Sequence, residues 1–392
     1  MNLKIDTALL ERAKQLEPII RGQADKGERE RRLSRDVFEA LGQAGLLRMY
    51  VPSSLGGLEV DPLTCARVVE EVASFHSAVG WALMVANSVA WWCARLPADG
   101  VEQIYSAGPD SFVATAFHPP VSAEEVEGGY KISGRAPLAS NIHDASWVML
   151  TALVRPSPDS QNGASPEVIA AFLPTSEIEI VDTWRSLGMR ATDSNDVEVN
   201  ARLVPRRRTF KFALDFEVNE HYSGSLYRAP ALGAALAPWA NVAVAIASSA
   251  IREFREIAGR KTPFVSTTLL RERPAAQAKL GRAEALLRSA RLLLYDTLTG
   301  AWERTFSGEG SILEQKTDLL LASVHAVNSA ATAVELMYSA AGTTAIYEGN
   351  PIERHFRDIQ VLKQHGFMSD NRYETVGQVY LGLDPDLSLV AF

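Results

Sequence analysis

The apolar residues of this chain change period twice, and that pattern restricts the folds open to it. From residue 226 onward, three segments (229–259, 274–306 and 311–341) carry apolar residues at helical spacing. Each is about 30 residues, or ~45 Å at ~1.5 Å per residue, the length of a long helical bundle. Another helix is expected after Pro351. Between about 111 and 215 the texture is that of strands. Tyr130-Lys-Ile-Ser leaves a tight turn at Gly128-Gly129, and Trp147 to Val154, Val168 to Leu173, Ile178 to Trp184 and Val197 to Val204 are short apolar runs separated by turn residues. Pro156 to Pro166, rich in Pro, Ser, Asp and Gly, reads as a hairpin loop. Residues 1 to 110 are helical again: Leu9, Leu10, Ala13, Leu16, Ile19 and Ile20 share one face, and Ser34 caps a helix that buries Val37, Leu41 and Ala44. Helices follow from Pro62 to Phe75 and from Val79 to Leu96. The expectation is an α+β chain of three domains: an N-terminal helical domain (1–110), a central β-barrel or sandwich (111–215) and a C-terminal helical bundle (226–392). Clefts where such units meet are where ligands bind.

At 392 residues the chain can bury a large core without staples. With 39 Lys and Arg against 47 Asp and Glu, the net charge is −8, which argues against nucleic acid or an anionic membrane as partner. Two cysteines, Cys65 and Cys93, form no CxxC and no framework, and Met1 to Asp6 offer no apolar signal-peptide core; a reduced, cytoplasmic protein is expected. Ala229 to Ile251 run 23 residues without a charge. The run is mostly alanine and carries Pro230, Pro238 and Asn241, so a central core helix is expected, with no membrane span.

Several standard chemistries have no signature here. The chain has no GxGxxG after a strand, no GxxxxGK[ST], no HExxH, no Cys/His cluster and no GxSxG. A dedicated metal is therefore not expected.

Three stretches taken together resemble the acyl-CoA dehydrogenase superfamily: Val51-Pro-Ser-Ser-Leu-Gly-Gly-Leu, Gly128-Gly-Tyr-Lys-Ile-Ser-Gly and Glu353-Arg-His-Phe-Arg-Asp358. The resemblance spans nearly the whole chain in order, and implies helices, a central β domain and a C-terminal four-helix bundle. The dehydrogenases remove a substrate proton with a glutamate nine residues after the Arg of the Arg-Asp pair. Counting from Arg357 lands on Gly366, beside His365, while Ile346-Tyr-Glu-Gly precedes Arg357 and makes Glu348 a false match. Another branch takes its glutamate from the first bundle helix, and Ala229 to Ile251 contain none.

Other stretches are similar to the two-component, reduced-flavin-dependent aromatic monooxygenases, the phenol, indole and dibenzothiophene hydroxylases. These are Ser133-Gly-Arg-Ala-Pro-Leu-Ala-Ser140-Asn, Asp182-Thr-Trp184 through Met189-Arg-Ala-Thr192-Asp-Ser194-Asn-Asp196, Gly80-Trp81, and Arg357-Asp358 followed by His365. Ala136 stands where that group commonly has Trp, and Asn141 and Asp193 where it commonly has Gly.

This resemblance implies that reduced flavin (FADH2 or FMNH2) arrives from a separate NAD(P)H:flavin reductase, that O2 forms a C4a-hydroperoxyflavin, and that a small phenol- or indole-type substrate is hydroxylated. It implies that Ser140, flanked by Ala139 and Asn141, holds the flavin N5–H; the alternative is a serine bonding its own backbone. His365 and His118 are candidate acceptors for a substrate proton, since imidazole titrates near neutrality. His143 reads as a turn residue. Trp184 either stacks on flavin or fills the core. Thr192 and Ser194 either donate to flavin or cap turns. Trp81, Trp91 and Trp92 are read as core or as lining an aromatic pocket. Arg260 is similar to the arginine that reaches a neighbouring subunit's cofactor, Arg357 and Asp358 to a structural pair, and the bundle to a homotetramer built as a dimer of dimers. The other readings are an acyl-CoA dehydrogenase or oxidase with a relocated base, and a scaffold subunit without flavin.

Overall fold

The computed structural model describes residues 5–155, 167–211, 219–307 and 312–386. The hairpin loop expected at Pro156–Pro166 lies outside them.

Six helices precede the sheet: α1 (Thr7–Lys14), α2 (Glu17–Glu30), α3 (Arg35–Gln43), α4 (Pro62–Phe75), α5 (Ser77–Cys93) and α6 (Ala98–Ile104). Ser34 caps α3 through the Val37 N–H, and Asp61 caps α4 through the Thr64 N–H at 2.9 Å with Pro62 in the first turn, as their sequence positions predict. His76 ends α4 in an extended conformation, and its Nδ1 then accepts from the Ala78 N–H at 3.2 Å to start α5. Nearly every residue of α5 is buried, Trp81 being half-buried.

The seven strands are β1 (Val113–Val126), β2 (Gly129–Ala139), β3 (Trp147–Val154), β4 (Val168–Pro174), β5 (Glu179–Val181), β6 (Asn195–Pro205) and β7 (Thr209–Lys211). They form one mixed sheet in the order β5-β6-β2-β1-β3-β4-β7, in which only β1 and β3 run parallel. The strands of the β unit are thus hydrogen-bonded in one continuous mixed sheet. Its register slips between Ala116 and Val121, where Pro119 and Pro120 have no N–H to give the ladder. The strand expected at Ile178–Trp184 shortens to β5, because the N–H groups of Thr183 and Trp184 both go to the Asn195 side chain at 3.0 Å.

The bundle contains α7 (Ser225–Arg228), α8 (Pro238–Arg260), α9 (Pro274–Ser307), α10 (Ile312–Ala341), α11 (Pro351–Leu362) and α12 (Arg372–Tyr380). The helix expected over 229–259 divides: a π-helical turn, Leu232–Leu236, leads into α8, whose Pro238 cannot donate to the preceding turn. α8 packs against α4, α10 and α11, and its uncharged half is buried from Pro238 to Ala247. Residues Leu232–Arg260 and Ile312–Ile346 are long and apolar enough to cross a membrane, yet most of each is buried against other elements, as in the core of a bundle.

Candidate active site

The loop between β5 and β6 is built by close approach to α11. A Cβ on Gly188 would lie 2.3 Å from the Arg357 carbonyl carbon, so only glycine allows the loop to sit there. Met189 then donates its N–H to Asp358 Oδ1 at 2.6 Å, and Ser77 donates its hydroxyl to the other carboxylate oxygen. Burial, and then the nearby charge of Glu28, push the Asp358 carboxyl up to about 6 against these hydrogen bonds and Arg357. Arg357 holds Glu353, Glu28 and the Leu187 carbonyl. Arg357 and Asp358 are therefore structural, as expected, but each docks the loop rather than the other.

This loop meets the end of β2. Asn141 donates its N–H to the Thr192 carbonyl at 2.7 Å. Asn141 and Asp193 have left-handed backbones (φ 54° and 49°), a conformation that glycine adopts freely and that Asn and Asp tolerate better than most residues. Asp193 is buried, which raises its carboxyl, and it accepts from His143 and Asn195. His143 is a turn residue, as read.

The hydroxyls of Ser140, Ser194 and Thr192 form one chain. The Trp81 indole N–H donates to Ser140 Oγ at 3.0 Å; Ser140 Oγ lies 2.9 Å from Ser194 Oγ, which lies 2.7 Å from Thr192 Oγ1. Thr192 ends the chain on the Met189 carbonyl at 2.8 Å. A carbonyl can only accept, so Thr192 donates to it and accepts from Ser194, which in turn accepts from Ser140. The competing acceptor for Ser194, the Thr192 carbonyl, is farther at 3.5 Å. Both ends are fixed, so Ser140 keeps one free lone pair and no free proton: towards a ligand it is an acceptor.

Trp81 also joins this chain to His365. The His365 ring lies 5.7 Å from Trp81, 4.4 Å from Trp239 and 5.8 Å from Phe367. Burial alone pushes the imidazole down to about 4, with no charged neighbour contributing, so it is neutral at pH 7. Its Nδ1 accepts from the Phe367 N–H at 3.4 Å, which places the ring proton on Nε2. Among the described residues no Asp or Glu is hydrogen-bonded to Ser140, Trp81, Trp239 or His365. Glu348, the false match, is exposed in the turn between α10 and α11.

The remaining candidates scatter. Trp184 is anchored through its N–H to the Met189 and Arg190 carbonyls (3.2 and 3.1 Å), against the same loop. Ala139 is buried in the β2–β6 ladder opposite Asn195. His118 is exposed on β1, and no hydrogen bond or ring contact among the described residues ties it to the Ser140 chain. Arg260 is exposed at the end of α8. Trp91 and Trp92 are core residues, each 1% exposed. Trp239 and Phe367 were not anticipated: Trp239 lies inside the uncharged run, where hydrophobicity signals core and nothing more.

Comparison with known proteins places the chain. The acyl-CoA dehydrogenase N-terminal domain model matches residues 12–98 and the C-terminal domain model residues 237–370. The indole-3-acetate monooxygenase of Pseudomonas putida is 32% identical over 369 residues, covering 93% of this chain and 92% of the relative. The chain belongs to the acyl-CoA dehydrogenase family. The oxygenase subunit of a flavin-dependent monooxygenase from Rhodococcus jostii is 23% identical, covering 95% of this chain and 98% of its own. The fold also matches the structure of XiaF from Streptomyces in complex with FADH2 and glycerol (TM-score 0.89, 23% identity, 97% and 96% of the two chains covered). Within its family the chain is a flavin-dependent monooxygenase, an oxygenase component that uses reduced flavin and O2.

The residues present fit a flavin. Both polar side-chain atoms of Asn141 are buried without a partner, beside a Ser140 that has an open lone pair. A reduced isoalloxazine carries N–H donors and carbonyl acceptors that such groups satisfy.

Proposed function

We propose that this oxygenase component hydroxylates a small aromatic or heteroaromatic compound of the phenol or indole type, with reduced FAD or FMN supplied by a separate NAD(P)H:flavin reductase. The observation that carries this reading is the neutral aromatic cage of Trp81, Trp239, Phe367 and His365, continuous with the Ser140 hydroxyl and with no Asp or Glu hydrogen-bonded to it among the described residues. A dehydrogenase needs a carboxylate base above the substrate, and none is hydrogen-bonded to this cage among the described residues; a neutral imidazole among indole and phenyl rings suits a flat, apolar substrate instead.

Reduced flavin, when bound, supplies the electrons that activate O2. Ser140 Oγ would accept the flavin N5–H and keep that proton in place, and Trp81 and Ser194 hold the hydroxyl ready for that role. Ala139 and Asn141 present backbone and amide groups to the flavin, with Trp184, Thr192 and Ser194 shaping its bed. His365 faces the substrate. The catalytic unit is a cytoplasmic homotetramer, a dimer of dimers in which Arg260 approaches a neighbouring copy's flavin. Phe264 and Val265, 98% and 87% exposed beside Arg260, and Leu292, 72% exposed on α9, favour burial against another copy.

The test is anaerobic loading with FADH2 or FMNH2, then mixing with O2 and either phenol or indole. Hydroxylated product is expected with one of the two. Oxidation of an acyl-CoA to its unsaturated thioester, with no hydroxylation of any ring, would overturn the reading.

A further inference from the structure

Trp239 is 4% exposed, yet its indole Nε1–H has no hydrogen-bond partner among the described residues. A buried, unpaired donor is costly, and native structures seldom keep one without a use. Its surroundings show what that use is. The ring makes a T-shaped contact with His365 at 4.4 Å and lies 6.1 Å from Trp81 and 5.4 Å from Phe367. It follows directly on the π-helical turn Leu232–Leu236, a distortion that proteins concentrate at functional sites. That turn is held from α5, where Ser88 donates to the Ala235 carbonyl.

The neighbouring polar groups have fixed roles. The Trp81 N–H is spent on Ser140, and the His365 Nδ1 is spent on the Phe367 N–H. What remains is a pair of neutral donors on adjoining rings, Trp239 Nε1–H and His365 Nε2–H. We propose that these two N–H groups form an oxygen-recognition subsite, so that the ring substrate carries an acceptor oxygen, carboxylate or phenolic, which Trp239 and His365 bind together. A ring with no such oxygen would leave both donors unpaired and is discriminated against on that ground.

This inference rests on the aromatic-substrate reading above, and the experiment separates the two. Binding of indole-3-acetate, phenol and 3-methylindole is measured on the full chain loaded with oxidised flavin, for wild type and for Trp239→Phe, which keeps a ring and removes the donor. Trp239→Phe is expected to weaken the preferred oxygen-bearing probe roughly tenfold and to leave 3-methylindole unchanged. Comparison of indole-3-acetate with phenol shows which oxygen is read. Trp239→His, which returns a donor, is expected to recover part of the loss. Equal weakening of all three probes would reduce Trp239 to a packing residue, and unchanged binding would assign its N–H to a trapped water; either overturns the subsite. Failure of wild type to bind any of the three would overturn the aromatic reading and the subsite together. Should Trp239→Phe not fold, the indole N–H resonances of 15N-labelled wild type decide: a shift with the oxygen-bearing probe but not with 3-methylindole supports the subsite, and its absence removes it.

Discussion

Two polar clusters flank α8, started by residues two apart in sequence and so about 200° apart around the helix. On one side Asn241 meets Glu70 of α4, a buried carboxylate that also accepts from the Tyr295 hydroxyl at 2.8 Å and from Arg291 of α9. On the other side Trp239 meets His365, Trp81 and Phe367, with no charge and with donors left over. The first cluster commits its carboxylate to bonds inside the protein, while Asn241 Oδ1 and Arg291 Nε stay buried without a partner. It ties three helices together, and its carboxylate is too well bonded to act as a base. The second withholds capacity, which lowers stability and leaves something for a ligand to satisfy.

The contrast can be broken most directly at Glu70. Glu70→Ala strands Arg291 and Tyr295, and is expected to cost about 2–3 kcal/mol, less than a wholly buried pair because Arg291 is 36% exposed. Urea denaturation reads the loss, while hydroxylation per folded molecule should persist; a stable variant with lost hydroxylation would reverse the assignment of the two faces. On the other face, His365→Ala is expected to lower hydroxylated product about tenfold with little loss of stability. Retention of full product would remove His365 from the substrate site.

Ser140→Ala should raise the hydrogen peroxide released per reduced flavin oxidised by several-fold and weaken reduced-flavin binding, because a hydroxyl acceptor is lost. Unchanged peroxide release would take Ser140 out of the account. Trp81→Phe should act in the same direction but more weakly, since Ser194 still restrains the hydroxyl.

The smallest effect is on acid stability. Burial lowers His76 and His355 to about 3 and His365 to about 4. The unfolded chain binds more protons than the folded one between those values and about 6.5, so stability present above pH 6.5 is lost on acidification. Asp358, raised to about 6, works the other way: its contribution is present below the ordinary carboxylate range and is lost as pH rises through 6. Three strongly lowered histidines against the raised carboxyls of Asp358, Asp193 and Asp110 predict a melting temperature that falls by a few degrees from pH 6.5 to 5, more steeply in Asp358→Asn. A flat or rising melting temperature would contradict the neutral state of the partly buried His365 on which the donor assignment rests.

Residue periodicity determined much of the architecture. α4 runs from Pro62 to Phe75 and β3 from Trp147 to Val154, with the ends read from their punctuation, because caps, prolines and alternating burial are local. The resemblance singled out Ser140, Thr192, Ser194 and His365 separately, and the sequence alone showed that no glutamate occupies either expected position. Only the tertiary structure decided that the Ser140 hydroxyl shares one directed chain with Ser194, 54 residues away, and Thr192, that Trp81 rather than Trp91 or Trp92 joins it to His365, and that Trp239 keeps an unpaired N–H. The reason is physical. Hydrophobicity reports that an indole is buried, but whether its N–H finds a partner depends on atoms brought from α5, α8 and the turn after α11, whose separation along the chain carries no trace of their contact.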